Sequence, residues 1–327
     1  MTRALWVVLA AALPLAAQPK LLVNAKTDTR SAASGLEREF KSFVTAQPQP
    51  AWIGWSVPSI RTNNLGCDYV RDGGPSAGVV HLEPPDSVIV MFRVEENKVG
   101  RIRSISPYCE IDAGGVPVHW LTEVQPAQSV ALLSTFATER EGFASSALNA
   151  IGMHADASAD QALERFVAAN QPDSIRTRAV SYLGMRPRGL DVLKKLIASD
   201  SDSRVRERAV SALGNSRAPE AMELLMSIAK SDNDSRLRSQ AVSGLGRKSG
   251  AKVVAALSAV AESDRDPNVR KRALSALQSM PDGEGVPVLI QIARNQRDLE
   301  MRKAAMSTLQ HSRDPRALAF FEEVIKK

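Results

Sequence analysis

Aromatic residues are scarce in this 327-residue chain. They make up 5% of it, against 44% hydrophobic residues overall. A core poor in large rings suits close helix packing by alanine, leucine and valine better than a large all-β body. Cysteine is scarcer still. Only Cys67 and Cys109 occur, too few for a Cys-rich zinc site, and neither has a histidine at metal-ligand spacing. The four histidines, His81, His119, His154 and His311, show no such spacing among themselves. No Gly-Lys-Ser/Thr follows Arg71-Asp-Gly-Gly-Pro75, so that stretch is a turn and not a phosphate loop. Ser56, Ser59 and Ser76 lack a nucleophile-elbow context. After the first residues, no run is apolar enough to span a bilayer. No catalytic set, metal or cofactor is read from the chain, and the balance leans away from an enzyme.

What is present is a phrase that returns. It reads Ile175-Arg-Thr-Arg-Ala-Val-Ser-Tyr-Leu-Gly184, then Val205-Arg-Glu-Arg-Ala-Val-Ser-Ala-Leu-Gly214, then Leu237-Arg-Ser-Gln-Ala-Val-Ser-Gly-Leu-Gly246. Copies starting at Val269 and Met301 follow, and a diverged one, Phe143 to Ile151-Gly152, precedes them. A fixed period of about 32 residues marks a stacked solenoid, because no single repeat can bury its apolar face alone. Each phrase is the second helix of a hairpin. First helices are expected at 127–138, 157–169, 188–198, 218–229, 250–262 and 284–294. A closing helix over 315–327 puts Glu322, Glu323, Lys326 and Lys327 on a polar capping face. The fold class is therefore mainly α, a right-handed α-solenoid of six hairpins over 127–327.

Within the phrase, Val205, Ala209, Ala212 and Leu213 share one helix face. Gly184, Gly214 and Gly246 fall where glycine caps a helix C-terminus. Asp202, Asp234, Asp266 and Asp298 stand three residues before the apolar start, at an N-cap position. In the 175 copy, Asp173 is one residue closer. Arg176, Arg206, Arg238, Arg270 and Arg302 are harder to explain. A cation in the first turn opposes the helix dipole, so each needs a partner. An aspartate of the same or the adjacent repeat gives a structural ladder; a stripe gripping acidic segments of a partner is the functional alternative.

The N-terminal part reads differently. Residues 1–17 form a basic-then-apolar run ending in Leu15-Ala-Ala17, a secretory signal pattern. The protein is then periplasmic or secreted, and Cys67 and Cys109 form a disulfide. Residues 18–126 read as a small antiparallel β domain behind one helix. Its mature start, 18–30, is expected to be loose. Leu36, Phe40, Phe43 and Val44 mark the helix. Strands are expected at Trp52–Val57, Gly78–Glu83, Ser87–Val94, Val99–Ser106 and Val116–Leu121, the last edge-like because of Pro117. Trp52 and Trp55 should face opposite sides of their strand.

The segment Asp202-Ser-Arg-Val-Arg-Glu-Arg-Ala-Val-Ser-Ala-Leu-Gly214 resembles the short HEAT-like repeats of phycocyanobilin lyases, and the resemblance covers 127–327. It implies a binding scaffold. HEAT enzymes that hold iron use His-Glu pairs, and this chain has none. The leading expectation is an exported, monomeric, non-enzymatic scaffold that binds a protein or peptide. The arginine row would steer acidic partners, helped by a net charge of +6. Export disfavours nucleic acid. The alternative is a small-ligand binder or enzyme, lyase-like by family name only, with a pocket near Trp52, Trp55, His81 or His119 or where the β domain meets the solenoid.

Overall fold

The computed structural model describes residues 22–60, 70–71, 74–75, 86–139 and 141–326. The leader, Cys67, His81 and the strand expected at Gly78–Glu83 lie outside them. Contacts divide the chain into two compact units, Met1–Ala162 and Leu163–Lys327.

In the first unit the order is β1 (Leu22–Val23), β2 (Lys26–Ser31), α1 (Leu36–Ala46), β3 (Ala51–Pro58), β4 (Val70–Arg71), β5 (Gly74–Pro75), β6 (Ser87–Glu95), β7 (Lys98–Ile105), β8 (Ile111–Asp112), β9 (Pro117–Thr122), α2 (Pro126–Glu139) and α3 (Glu141–Met153). The main sheet has the order β2-β9-β3-β6-β7. β3, β6 and β7 run antiparallel, as expected, and Glu96 and Asn97 turn the β6–β7 hairpin with φ of 51° and 57°. β9 departs from expectation. It lies inside the sheet, parallel to both β2 and β3, and Pro117 is tolerated because it is the first residue of its strand.

Residues 26–31 are not loose either. They form β2, an edge strand exposed at every residue, so no apolar alternation marks it in the sequence. The ladder to β9 holds it, helped by Asp28, which lies 2.5 Å from Nδ1 of its register partner His119.

One face of the sheet is closed by helices. Phe40 of α1 and Phe136 of α2 surround Phe92 and Trp55, with Phe40 and Phe92 centroids 4.8 Å apart. The polar atoms there are satisfied in a chain. Trp55 Nε1 donates to Ser129 Oγ at 2.9 Å, Ser129 donates to His154 Nε2 at 2.9 Å, and His154 Nδ1 donates to Ala150 O at 2.7 Å. That fixes the tautomer of a fully buried histidine.

Next comes α4 (Ala157–Phe166), spanning the boundary between the units. The second unit continues with α5 (Asp173–Leu183), α6 (Gly189–Ser199), α7 (Ser203–Leu213), α8 (Pro219–Ser231), α9 (Ser235–Leu245), α10 (Ala251–Ser263), α11 (Pro267–Ser279), α12 (Val286–Asn295), α13 (Leu299–Gln310) and α14 (Pro315–Ile325). The helical pairing follows the repeat, and the phrase's valines, alanines and leucines are buried. Leu193, Leu225, Leu257 and Leu289, one per first helix at intervals of 32, complete the core.

Three local expectations change. Gly184, Gly214 and Gly246 keep right-handed φ near −60°, so they are not left-handed caps. They are small because neighbouring second helices nearly touch. A Cβ on Gly184 would collide with the carbonyl of Ala212, and one on Gly214 would lie 2.9 Å from Gly244 Cα. Asp173 does not cap α5; Pro172 occupies that position, and Asp173 sits in the first turn. On α14, Leu318, Val324 and Ile325 are exposed beside the expected charges, so its outer face is not purely polar.

Candidate interaction surfaces of the helical array

α7, α9 and α11 each begin at a short loop carrying two aspartates, whereas α13 has only the second, with Gln296 in the place of the first. The first of each pair, Asp200, Asp232 and Asp264, ends the preceding helix and accepts the N–H of the residue two later at 2.8–2.9 Å. The second, Asp202, Asp234, Asp266 and Asp298, accepts first-turn N–H groups and caps α7, α9, α11 and α13.

The arginine row inserts into these loops. Arg176 and Arg238 are only 3% and 2% exposed. Arg238 grips Asp264 of the next repeat with both prongs, Nε to Oδ2 at 2.8 Å and Nη2 to Oδ1 at 2.9 Å. Its Nη1 donates to Asp232 O at 2.9 Å. Arg176 pairs with Asp200 and donates to Val167 O at 3.1 Å. Arg206 and Arg270 take the capping aspartate instead, at 4.0 Å from Asp234 and 2.9 Å from Asp298. Arg302 is part-exposed and makes no ion pair among the described residues. Arg176 and Arg238 are therefore closed to a partner molecule, and the row from Arg176 to Arg270 ties successive repeats together.

The charges respond accordingly. Hydrogen bonds from the Arg204 N–H, then from its side chain, hold Asp202 below the usual carboxylate range. The Arg236 side chain does the same for Asp234. The N–H of Met301 leads at Asp298. At Asp264 burial pushes the pKa up, and the bonds from Arg238 bring it below normal.

A different set of cations faces solvent. Helix residues two apart lie about 200° apart around the axis, so the second arginine of each Arg-x-Arg doublet points away from the ladder. Arg178, Arg208 and Arg272 are exposed, as is Lys271, and neither Arg208 nor Arg272 makes an ion pair among the described residues. The doublet is visible in the sequence, where the helix dipole singles out only its first member. A groove of about 590 Å³ crosses α5, α7 and α9 on this face, lined by Thr177, Arg204, Glu207, Arg208, Ser211 and Gln240 among others. A second groove, about 780 Å³, lies against α8 and α10, lined in part by Ser227, Ala256, Ala259, Lys230 and Arg265.

The alternative site in the first unit is not assembled as expected. Trp55 is buried against the helices, and Trp52 faces the other side. His119 points to the helical side and stacks on Phe43 at 4.5 Å, away from Trp52. The cleft at Trp52 is about 170 Å³, below the roughly 300–1,000 Å³ of a drug-sized pocket. Cys109 is buried at 1% exposure. Among the described residues, no group of three or more His, Cys, Asp or Glu is placed to hold a metal. No described helix is long and apolar enough to cross a membrane.

Residues 182–246 and 254–327 match the family model for HEAT repeats. No curated protein sequence matches the chain. Among solved structures, the complex of CpcE and CpcF of phycocyanin lyase from Nostoc sp. PCC7120 is similar at 24% identity, over 46% of this chain and 99% of that one, with a TM-score of 0.37. Human deoxyhypusine hydroxylase in complex with glycerol is similar at 18% identity, over 56% and 84%, with a TM-score of 0.27. Kap95p in its RanGDP complex shows 15% identity over 57% and 29%, with a TM-score of 0.35. The assignment rests on the repeat match and the observed hairpins, and by these the chain is a HEAT-like repeat protein.

Proposed function

We propose that the helical array is a protein-interaction scaffold whose partner is an acidic protein or peptide. The observation that carries this reading is the groove across α5, α7 and α9, where Asp173 is paired with Arg204 and Glu207 with Arg236, which leaves Arg208 as the lining cation without an ion pair among the described residues, and Arg178, Lys271 and Arg272 lie at related exposed positions. A surface spread over several repeats binds by many shallow contacts, and exposed cations of one sign raise the encounter rate with an acidic partner. Such binding weakens as salt rises.

The test has two stages. Mature protein captures partners from the cell-envelope fraction, and the captured protein is purified and titrated against the array. Arg208→Glu with Arg272→Glu should weaken that binding at least tenfold while leaving the thermal transition in place. Unchanged affinity in this variant would remove the proposed surface.

The proposal includes export, read from the N-terminal sequence pattern, and a monomeric state. Mass spectrometry of envelope-derived protein should show a chain beginning at Gln18 and two hydrogens lighter than its fully reduced form, the mark of a Cys67–Cys109 disulfide. A full-length reduced chain in the cytosol would defeat this part.

A further inference from the structure

The sheet of the first unit has a second face, opposite the helices. Register brings Val118, Trp52, Arg93 and Arg101 into one row across β9, β3, β6 and β7. Trp120, Gly54, Met91 and Arg103 form the next row. Three arginines therefore share one corner. Arg93 and Arg101 are direct cross-strand partners, a like-charge pairing that works against a sheet. The ion pair observed there is Arg93 with Glu95, at 3.6 Å. Arg101 and Arg103 are exposed.

Among the described residues, two buried donors on this face lack an acceptor, Arg93 Nη1 and Trp120 Nε1; Trp120 is sealed in an apolar cluster with Met91, Ile111 and Val118, so of the two only Arg93 borders the surface. Buried N–H groups are nearly always paired, so the face is short of acceptor oxygens. Beside the arginines is the small cleft, lined by Trp52, Met91, Arg103, Ile105, Ile111 and Ala113 among others. The Arg93 guanidinium lies 5.8 Å from the Trp52 ring centroid. Asp112, also in the lining, is already engaged by Gly114 N–H and Asn24 Nδ2.

We infer that this corner recognises an acidic peptide segment. Arg93, Arg101 and Arg103 take a carboxylate, and a neighbouring apolar side chain enters the Trp52 cleft. Guanidinium groups match a carboxylate in planar, two-pronged geometry. The cleft has room for one side chain and is too small for a drug-sized ligand, which favours a chain segment with a single anchor.

The experiment uses the full chain and a dye-labelled, end-blocked peptide with an Asp-Leu-Asp core, read by fluorescence anisotropy at low salt. Saturable binding is expected. Arg101→Gln with Arg103→Gln should weaken it at least tenfold, and Arg101→Lys with Arg103→Lys should fall between that variant and the parent. An Asp-Gly-Asp peptide should bind at least tenfold more weakly. The Arg208→Glu, Arg272→Glu protein should bind the probe like the parent, which separates this site from the array. The inference is overturned by absence of saturable binding, by equal affinity for the glycine peptide, or by parental affinity in the Gln variant. Full displacement by low-millimolar inorganic phosphate would reduce the corner to a simple anion site and equally overturn the peptide assignment.

Discussion

Arg238 and Asp264 show what a single residue pair does for the stack. Both side chains are buried, and the guanidinium spends every prong on the pair or on the Asp232 carbonyl. Removing one partner of a buried pair strands the other charge, at a cost of about 3–5 kcal/mol. Arg238→Met should therefore destabilise by that order in urea unfolding followed by circular dichroism. Arg302→Met, which removes a part-exposed arginine without an observed ion pair, should cost under about 0.5 kcal/mol. Similar losses at both positions would show that the ladder is not what holds the repeats. The sequence revealed the need for a partner, since a first-turn cation opposes the dipole. It did not reveal the choice. Arg176 and Arg238 select the helix-ending aspartate, while Arg206 and Arg270 select the cap. For Arg176, Arg206 and Arg238 the two aspartates stand two residues apart, so only the packed geometry distinguishes them; Arg270 meets Gln296 at the first position and has only Asp298 to take. The glycines carry a second prediction at this scale. Gly184→Ala drives a methyl into the Ala212 carbonyl and should destabilise. Gly142→Ala, at an exposed position of α3 with open space around it, should be neutral or stabilising by up to about 1 kcal/mol. Differential scanning calorimetry of the two variants decides, and a shift of the same sign would refute the close-approach explanation.

At the scale of the element, the helix starts are the most legible part of the chain. An aspartate three residues before a β-branched or aliphatic position predicted four caps, and all four aspartates accept first-turn N–H groups. β2 was illegible for a physical reason. Every one of its residues is exposed, so there is no hydrophobic period to read, and its pairing with β9 comes from about 90 residues away in the chain. β9 looked like an edge because proline suggests one, but a strand's first residue can be proline in any position of a sheet. The caps also set how the array responds to acid. Asp202, Asp234 and Asp298 titrate below the ordinary carboxylate value of 3.8, and Asp314 is lowered to about 2 by the Arg316 side chain and N–H. A depressed carboxylate contributes stability that is fully present above its unfolded pKa and is lost as pH falls through its folded pKa. Stability should accordingly be level near neutrality and fall between about pH 4 and 2. Asp202→Asn, Asp234→Asn and Asp298→Asn together keep a capping oxygen but remove the titrating charge, so that acid branch should flatten. Urea midpoints measured at pH 7, 4 and 2.5 test this, and an unchanged acid slope in the triple variant would count against the caps as its source.

For the whole molecule, the distribution of aromatic residues becomes an experimental handle. All four tryptophans, Trp6, Trp52, Trp55 and Trp120, precede residue 121, whereas the helices from α5 onward belong to the second compact unit. Tryptophan fluorescence therefore follows the first unit, and the circular dichroism signal at 222 nm is weighted toward the second. Two separately compact units predict that these signals need not change together, which departs from two-state behaviour. Repeat arrays add a further expectation, because each repeat draws its stability from itself and its immediate neighbours. Leu213 is fully buried in α7, and truncating it to alanine should cost about 2–5 kcal/mol in lost contact and residual cavity. Leu213→Ala should lower the 222 nm urea midpoint and leave the fluorescence midpoint where it was. Trp55→Phe, which removes the indole N–H from Ser129 in the first unit, should do the reverse: Trp52 and Trp120 still report, their transition moves to lower urea, and the late helical transition stays. If each substitution instead shifts both signals by the same amount, the chain unfolds as one cooperative body, and the separation into a sheet-bearing unit and a HEAT-like array does not extend to its energetics.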